Sequence, residues 1–361
     1  MLKFIHAADF HLDSPFGALT TQQAAARRRE SRELAFRLAN YVNQQGIDLV
    51  LLAGDLFDSN SAFRETGEQL AQAFGQMRAR VFVAPGNHDW YGPGSPWLTV
   101  NWPENVTIFR ENRLTAVDLP DWNLTIHGAA FTGEQQTSGF LAGFAAPEDG
   151  RTHFGLLHGE VDPAEDRYGP IRREEIAGSG LTYLALGHVH RCAGVQRAGN
   201  TAYAYPGCLP GRGFDETGDK GFLYGEITPE KVELEFIPFA PRRYQSVTAD
   251  ITDRDPADAV RQALDPDCGQ DVCRVLLTGS RRENFSLSAL TSELSGLCAA
   301  LELTDETYPE EDVWARCGED SLRGLFLQNL RARYDGADED EKRQLLQAAR
   351  FGLAALDNRD L

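Results

Sequence analysis

The sequence predicts a mixed α/β chain: two β-sheets packed face to face with helices outside, then a small α/β unit, then a helical hairpin. Three observations carry this. Five short apolar runs each end in a cluster of acidic, amide or imidazole side chains. The early chain alternates strand-like and helix-like stretches, and from Val106 onward short strands dominate. After Pro241-Arg242-Arg243 the alternation restarts, and the chain closes on two apolar stripes at helical spacing.

The elements follow in order. Phe4–Ala8 reads as a strand and runs into Asp9-Phe10-His11. The helix expected over Thr21–Gln45 carries Leu34, Leu38 and Tyr41–Val42 on one face. Ile47–Ala53 is a strand running into Gly54-Asp55-Leu56-Phe57-Asp58. A second helix, Arg64–Arg80, buries Leu70, Phe74 and Met77. Val81–Ala84 leads into Pro85-Gly86-Asn87-His88-Asp89. Strands are then expected at Val106–Phe109, Leu114–Asp118, Asn123–His127, Val195–Tyr205, Phe222–Ile227 and Val232–Phe236. Among them Phe154–Leu157 ends in His158-Gly159, and Tyr183–Leu186 in Gly187-His188-Val189-His190. A βαβαβ unit follows: strand Gln245–Ile251, helix Asp255–Leu264, strand Val272–Thr278, helix Leu287–Ala299 and strand Leu301–Glu306. The hairpin has one stripe of Leu322, Leu325, Phe326 and Leu330 and another of Leu345, Ala349, Leu353 and Leu356, with Asp335–Asp340 as the polar turn. The expected divisions are 1–243, 244–312 and 313–361, the second boundary marked by the acidic run Pro309-Glu310-Glu311-Asp312.

Composition bounds the function. No run of 18 apolar residues exists, and the N-terminus lacks the pattern of a signal peptide, so a cytoplasmic protein that does not span a membrane is expected. The six cysteines show no CxxC pair and read as reduced thiols. A net charge of −19 argues against a chain that simply coats nucleic acid. Any DNA binding then depends on a local basic patch, on metal ions or on a partner.

The strand endings carry the chemistry. Five of the eight histidines sit in them. Open α/β sheets bind ligands where strand ends converge. Asp, His and Asn donors without Cys suit hard or borderline divalent ions such as manganese, iron or zinc. Two such cations about 3.5–4 Å apart can clamp a phosphate and stabilise a leaving oxygen. Gly54, Gly86 and Gly187 beside the donors are expected to permit tight, left-handed turns.

The ordered set DFH, GDLFD, GNHD, HG and GHVH resembles the calcineurin-like metallophosphoesterase superfamily. The opening His6-Ala7-Ala8-Asp9-Phe10-His11-Leu12 and the run Tyr205–Glu216 with Gly218-Asp219-Lys220-Gly221 resemble its DNA-repair exonuclease branch, the SbcD-type nucleases. The resemblance implies the calcineurin-like phosphoesterase fold and two divalent ions, manganese first, with iron, zinc or magnesium as substitutes. One ion would be held by Asp9, His11, Asp55 and His190, the other by Asp55, Asn87, His158 and His188. His88 would contact the scissile phosphate or protonate the leaving oxygen. Asp58 would orient His88. The resemblance also implies a DNA exonuclease, working from 3′ ends on double or single strands. The small domain would form a wall of the DNA groove. A coiled-coil ATPase of the SbcC type would grip the C-terminal helices, and a homodimer is left open.

Rival readings stand beside this one. The same site could serve a phosphoesterase for small molecules or phosphoproteins, although such an enzyme needs neither the added domain nor the hairpin. A non-catalytic scaffold is opposed by donors present at every position. Arg212, in a Gly-rich loop, is the expected phosphate contact. Arg27-Arg28-Arg29 with Arg32 reads as a solvated face paired with Glu30 and Glu33, Asp89 as a holder of the Asn87 loop, and Cys208 as a packing residue. His6, His127 and His153 read as core or strand histidines.

Overall fold

The computed structural model describes residues 2–17, 19–227, 232–309 and 313–356. The acidic boundary at Glu310–Asp312 lies outside the described residues. The chain divides into two compact units. The first comprises Met1–Ser246, Pro266–Arg274 and Gly296–Leu301; the second comprises Val247–Asp265, Val275–Ser295 and Glu302–Leu361.

The first unit begins β1 (Leu2–Ala7), α1 (Thr21–Gln45), β2 (Leu49–Leu52), α2 (Arg64–Gly75), β3 (Arg80–Val83), α3 (Pro96–Thr99) and β4 (Val106–Ile108). It continues β5 (Thr115–Leu119), β6 (Leu124–Gly128), β7 (Thr152–His158), α4 (Arg173–Gly178), β8 (Tyr183–Gly187), β9 (Gln196–Ala198) and β10 (Thr201–Ala204). β11 (Gly221–Ile227) and β12 (Val232–Pro238) follow. Two six-stranded sheets result, with orders β12-β11-β1-β2-β3-β4 and β5-β6-β7-β8-β10-β9. β1 to β4 run parallel in the first sheet. β6, β7, β8 and β10 run parallel in the second. This is the mixed α/β, two-sheet architecture expected from the sequence.

The apolar runs are continuous because both faces of each central strand are covered. Successive side chains alternate between two cores. Phe4, Leu49, Leu51 and Phe82 point into the layer between the sheets, against Ile126, Phe154, Leu156 and Tyr183. Ile5, Val50, Leu52, Val81 and Val83 point the other way, onto Leu34, Leu38 and Val42 of α1 and Leu70 and Phe74 of α2. The far face of the second sheet packs Leu157, Leu184, Leu186 and Tyr203 against Ile171 and Ile176. α1 starts on a Thr20–Gln23 capping box and stops at Gly46, whose φ of 62° is left-handed.

Three elements depart most from the expected bounds. α2 ends at Gly75, where Pro103 abuts the glycine, so Met77 and Ala79 reach the core from a turn. Val195–Tyr205 is not one strand but the hairpin β9–β10, turned at Gly199 with φ 56°. The helix expected over Leu287–Ala299 stops at Glu293, before Gly296 with φ 86°.

The remaining elements are β13 (Tyr244–Asp250), α5 (Pro256–Ala263), β14 (Val272–Thr278), β15 (Ser280–Arg281), α6 (Leu287–Glu293), β16 (Ala300–Asp305), β17 (Tyr308–Pro309), α7 (Leu322–Tyr334) and α8 (Glu339–Leu356). A three-stranded sheet has the order β13-β14-β16, and β15 pairs with β17. α7 and α8 pack through Leu327, Ala349 and Val313, with Phe326, Leu330 and Leu353 half-buried. Leu322 and Leu325 of the expected stripe instead stand 70% and 58% exposed, and Phe351 50%. Among the described residues no helix is long and apolar enough to cross a membrane.

Candidate metal centre

Every parallel strand end in question delivers its side chains to one place in the first unit. Asp9 and His11 follow β1, Asp55 and Asp58 follow β2, Asn87 and His88 follow β3, His158 closes β7, and His188 and His190 follow β8. The backbone turns sharply at the donors themselves. Asp9, His11, Asp55 and His188 have φ of 54°, 44°, 51° and 102°. Such angles are uncommon for residues with a Cβ and cluster at functional sites. The loops after β1 and β2 are zipped together by Asp9 N to Gly54 O, His11 N to Asp55 O and Leu12 N to Leu56 O, at 2.9–3.0 Å.

Two donor groups form. Asp9, His11 and His190 offer ligand atoms all within 4.8 Å of one another, and so do Asp55, His158 and His188. Asn87 Oδ1 joins the second group, 3.0 Å from His158 Nε2 and 3.2 Å from His188 Nδ1. Asp55 Oδ2 lies 3.3 Å from His158 Nε2 and 3.9 Å from His11 Nε2, so its carboxylate stands between the groups. A third group joins His11, Asp58 and His88.

The donors fit divalent cations on the structure's own terms. Imidazole tethers fix which nitrogen faces inward. His158 Nδ1 donates to Ala53 O at 2.8 Å, and His190 Nδ1 donates to Glu216 Oε1 at 2.7 Å. The Nε2 lone pairs are thereby aimed at the centre. His190 Nε2 then meets His11 Nε2 at 3.1 Å, a contact that needs a proton or a cation between two acceptors. His11 Nδ1 is buried and makes no well-formed hydrogen bond, although Asp58 Oδ1 is 3.3 Å away. Nitrogen and oxygen donors of this kind suit hard or borderline ions.

The electrostatics of the donors follow from burial and from their own mutual charges. Burial alone would raise the Asp55 carboxyl, but His158, by charge and hydrogen bond, and then His11 hold it well below the usual carboxylate range. Burial pushes Asp9 upward. Burial would lower His158, yet Asp55 and Asp9 push it up to about 9. Burial and the charge of His158 hold His188 down at about 3.

The structure revises several sequence expectations. The carboxylate of Asp58 does not hold His88. It faces His11, accepts from Ser14 Oγ at 2.7 Å and pairs with Arg212 at 3.1 Å. His88 Nδ1 donates instead to the main-chain carbonyl of Asp58, at 2.9 Å, because the loop turns that carbonyl toward it. Arg212 is not a free phosphate hand. Its guanidinium is spent on Glu216, at 2.7 Å, and on Asp58, beside a cavity of about 290 Å³ lined also by Ser14, Phe16 and Asp215. Only Gly54 of the three glycines is left-handed, with φ 85°. Gly86 and Gly187 are required for close approach: a Cβ there would lie 2.2 Å from Asp55 Oδ1 and 1.9 Å from Ala53 O.

Glu216 is the functional residue that sequence reasoning passed over. It is buried, binds His190 and Arg212 together, and both partners depress its carboxyl against the effect of burial. The only signal was its place in the Tyr205–Glu216 run. Asp89 holds loops, accepting from Gly86 N, Leu56 N and Phe57 N at 2.7–3.3 Å. His6 bonds Tyr183 and Leu186, and His127 bonds His153, all away from the donors. The basic face of α1 is paired, Arg27 with Glu30 and Arg29 with Glu33. Cys208 is buried, its Sγ 3.6 Å from His190 O.

Comparison with known proteins adds the following. The family model for calcineurin-like phosphoesterases matches residues 2–192. A Bacillus subtilis (strain 168) protein named uncharacterized metallophosphoesterase YhaO is 31% identical over 379 positions, covering 98% of this chain and 90% of its own length. Solved structures overlap more loosely. TT1561 of Thermus thermophilus gives a TM-score of 0.40 at 12% identity, covering 65% of this chain and 98% of its own. GAP50, the anchor in the inner membrane complex of Plasmodium, gives 0.42 at 11%, covering 66% and 84%. Overlaps this loose decide neither topology nor site.

Proposed function

The chain belongs to the calcineurin-like phosphoesterase family, and on that premise we propose that it is a two-metal phosphodiesterase that degrades DNA from 3′ ends, in repair or recombination. It is a metallophosphoesterase, a hydrolase of phosphoester bonds. The observation that carries the proposal is the pair of buried donor groups with the Asp55 carboxylate between them.

Asp9, His11, Asp55 and His190 would hold one divalent ion, and Asp55, Asn87, His158 and His188 the other, with manganese the first candidate. When bound, such cations polarise phosphoryl oxygens and make water acidic enough to attack phosphorus near neutral pH. The protein supplies the rest. Glu216 orients His190, and the Ala53 carbonyl orients His158. His88 is exposed and tethered through Nδ1, which leaves Nε2 to bind the phosphate and return a proton to the leaving oxygen.

DNA as substrate is supported by the chain's extra parts. In this reading residues 244–312 contribute contacts to DNA, and the helices of 313–361 dock a coiled-coil ATPase in the cytoplasm. The exposed Leu322 and Leu325 are the apolar surface offered to it. A basic partner would also supply the positive surface that a chain of net charge −19 lacks. Deleting 319–361 should abolish pull-down of the ATPase while metal-dependent cleavage survives. Undiminished pull-down rules the docking role out.

One observation favours the rival reading, a phosphoesterase for small molecules or phosphoproteins. Arg212, a cation beside the site, is already matched by two carboxylates. Metal-stripped protein reloaded with manganese, magnesium, zinc or iron should be assayed on end-labelled duplex DNA, a phosphodiester dye and a phosphomonoester dye. Turnover of the monoester with none on DNA would establish the rival.

A further inference from the structure

A second cluster of metal-binding side chains lies in the first unit and has no part in the phosphoesterase chemistry. Cys268 follows α5, Cys273 sits on β14 and Cys298 precedes β16. The three thiols are buried and none is in a disulfide. Their sulfurs all lie within 4.8 Å of one another, and Cys298 Sγ is 3.4 Å from Cys268 Sγ. We propose that Cys268, Cys273 and Cys298 form a three-sulfur site for a soft d¹⁰ metal ion, Zn²⁺ or Cu⁺.

Geometry and chemistry carry this. Three thiolates each about 2.3 Å from one ion would stand about 3.8–4 Å apart. That spacing falls between the 3.4 Å contact and the 4.8 Å bound seen here. Thiolate donors select Zn²⁺ and Cu⁺ over the hard ions that suit carboxylates and imidazoles. The two centres of the chain thus differ in kind, one built from nitrogen and oxygen and the other from sulfur.

The backbone under the sulfurs is fixed. Asp271 N donates to Cys268 O at 2.8 Å, and Ala299 N donates to Asp271 O at 3.0 Å. The Asp271 carboxylate is taken up by Arg243 and Gln245 at 2.6–2.9 Å, so it is committed elsewhere. A buried free cysteine is ordinarily a small apolar filler. Filling a core does not require three separate segments to bring sulfur to one point.

The test uses the full chain, stripped with chelator under a phosphine reductant and titrated with Co²⁺ as an optical stand-in for Zn²⁺. Cobalt added to saturation should produce a near-ultraviolet sulfur-to-cobalt charge-transfer band with the intensity of one site per chain, which Zn²⁺ then bleaches. The phosphoesterase donors contain no sulfur and cannot give that band. Cys273→Ser and Cys298→Ser should lose it, while Cys317→Ser and Asp55→Asn keep it. Absence of the band in the wild-type chain overturns the proposal, as does its survival in Cys273→Ser. Should a serine variant fail to fold, zinc-edge X-ray absorption on zinc-saturated wild-type protein decides: sulfur neighbours at about 2.3 Å support the site, and nitrogen and oxygen neighbours alone refute it. Four titratable thiols rather than six in protein purified without reductant would replace the metal site by a disulfide.

Discussion

Gly86→Ala is a one-methyl test of the metal centre. The Cβ it adds would lie 2.2 Å from Asp55 Oδ1 and 2.7 Å from Asp55 N. Real Cβ contacts essentially never fall below 3.0 Å, so the carboxylate must retreat by at least 0.8 Å, the difference of 3.0 and 2.2. The retreat also breaks the 2.9 Å bond from His88 N to Asp55 Oδ1. The φ of Gly86 is not left-handed, so alanine is not excluded by its own backbone and the clash is the whole effect. Misplacing a reacting constellation by about 1 Å costs on the order of 10²-fold in rate. Overpacking costs a further 1–3 kcal/mol or so of stability. Turnover of a phosphodiester dye should therefore fall about 100-fold, with metal retention after dialysis reduced. Gly178→Ala, where nothing lies within 4 Å of the added Cβ, is the matched control and should be silent. Wild-type metal content with turnover within about threefold of wild type would refute the assignment of Asp55 to the centre.

Four other outcomes are expected. Glu216→Gln should weaken metal retention about 10–100-fold through loss of the His190 tether, checked by competition with a fluorescent chelator; unchanged affinity would reduce Glu216 to a mere partner of Arg212. His88→Ala should keep both metals by elemental analysis and lose about 10²–10⁴-fold in rate. Asp58→Asn should instead loosen metal binding, since its carboxylate faces His11, and an Asp58→Asn chain that kept full metal affinity would return Asp58 to the service of His88. His6 is fully buried and burial holds it at about 3, against 6.5 when unfolded. The unfolded chain therefore takes a proton below pH 6.5 that the folded chain refuses, so this contribution is complete above 6.5 and is lost as pH falls toward 3. Between pH 7 and pH 5 the loss is about 2 kcal/mol. Urea unfolding of chelated protein should show that much less pH sensitivity in His6→Gln, and equal slopes would contradict the burial argument.

The strands and their endings were readable because a parallel strand covered on both faces is an unbroken apolar run, and the donors interrupt it abruptly. Helix ends were read less well, since Met77 kept the helical period going beyond the true stop at Gly75. The Gly199 turn was hidden inside a run of strand-forming residues. Within the site, residue positions were legible and side-chain directions were not. Loops have no period, so nothing in GDLFD tells that the Asp58 carbonyl, and not its carboxylate, meets His88. Glu216 lies 26 residues from His190, and only the folded loop after β10 joins them. The cysteine cluster escaped notice for the same reason, its members lying on separate segments with irregular spacing.

Four of the donor residues hold left-handed backbone angles. A graft of this centre onto another scaffold would therefore fail if it copied side chains alone. Ordinary strand ends and helix ends do not present Asp, His, Asp and His at such angles, and side-chain repacking cannot recreate them. The transferable module is the zipped pair of loops after β1 and β2 together with the Gly187-His188 turn, carried over as intact peptide. A library that randomised the neighbours of these turns while leaving the turns fixed would explore substrate choice without dismantling the ligand frame.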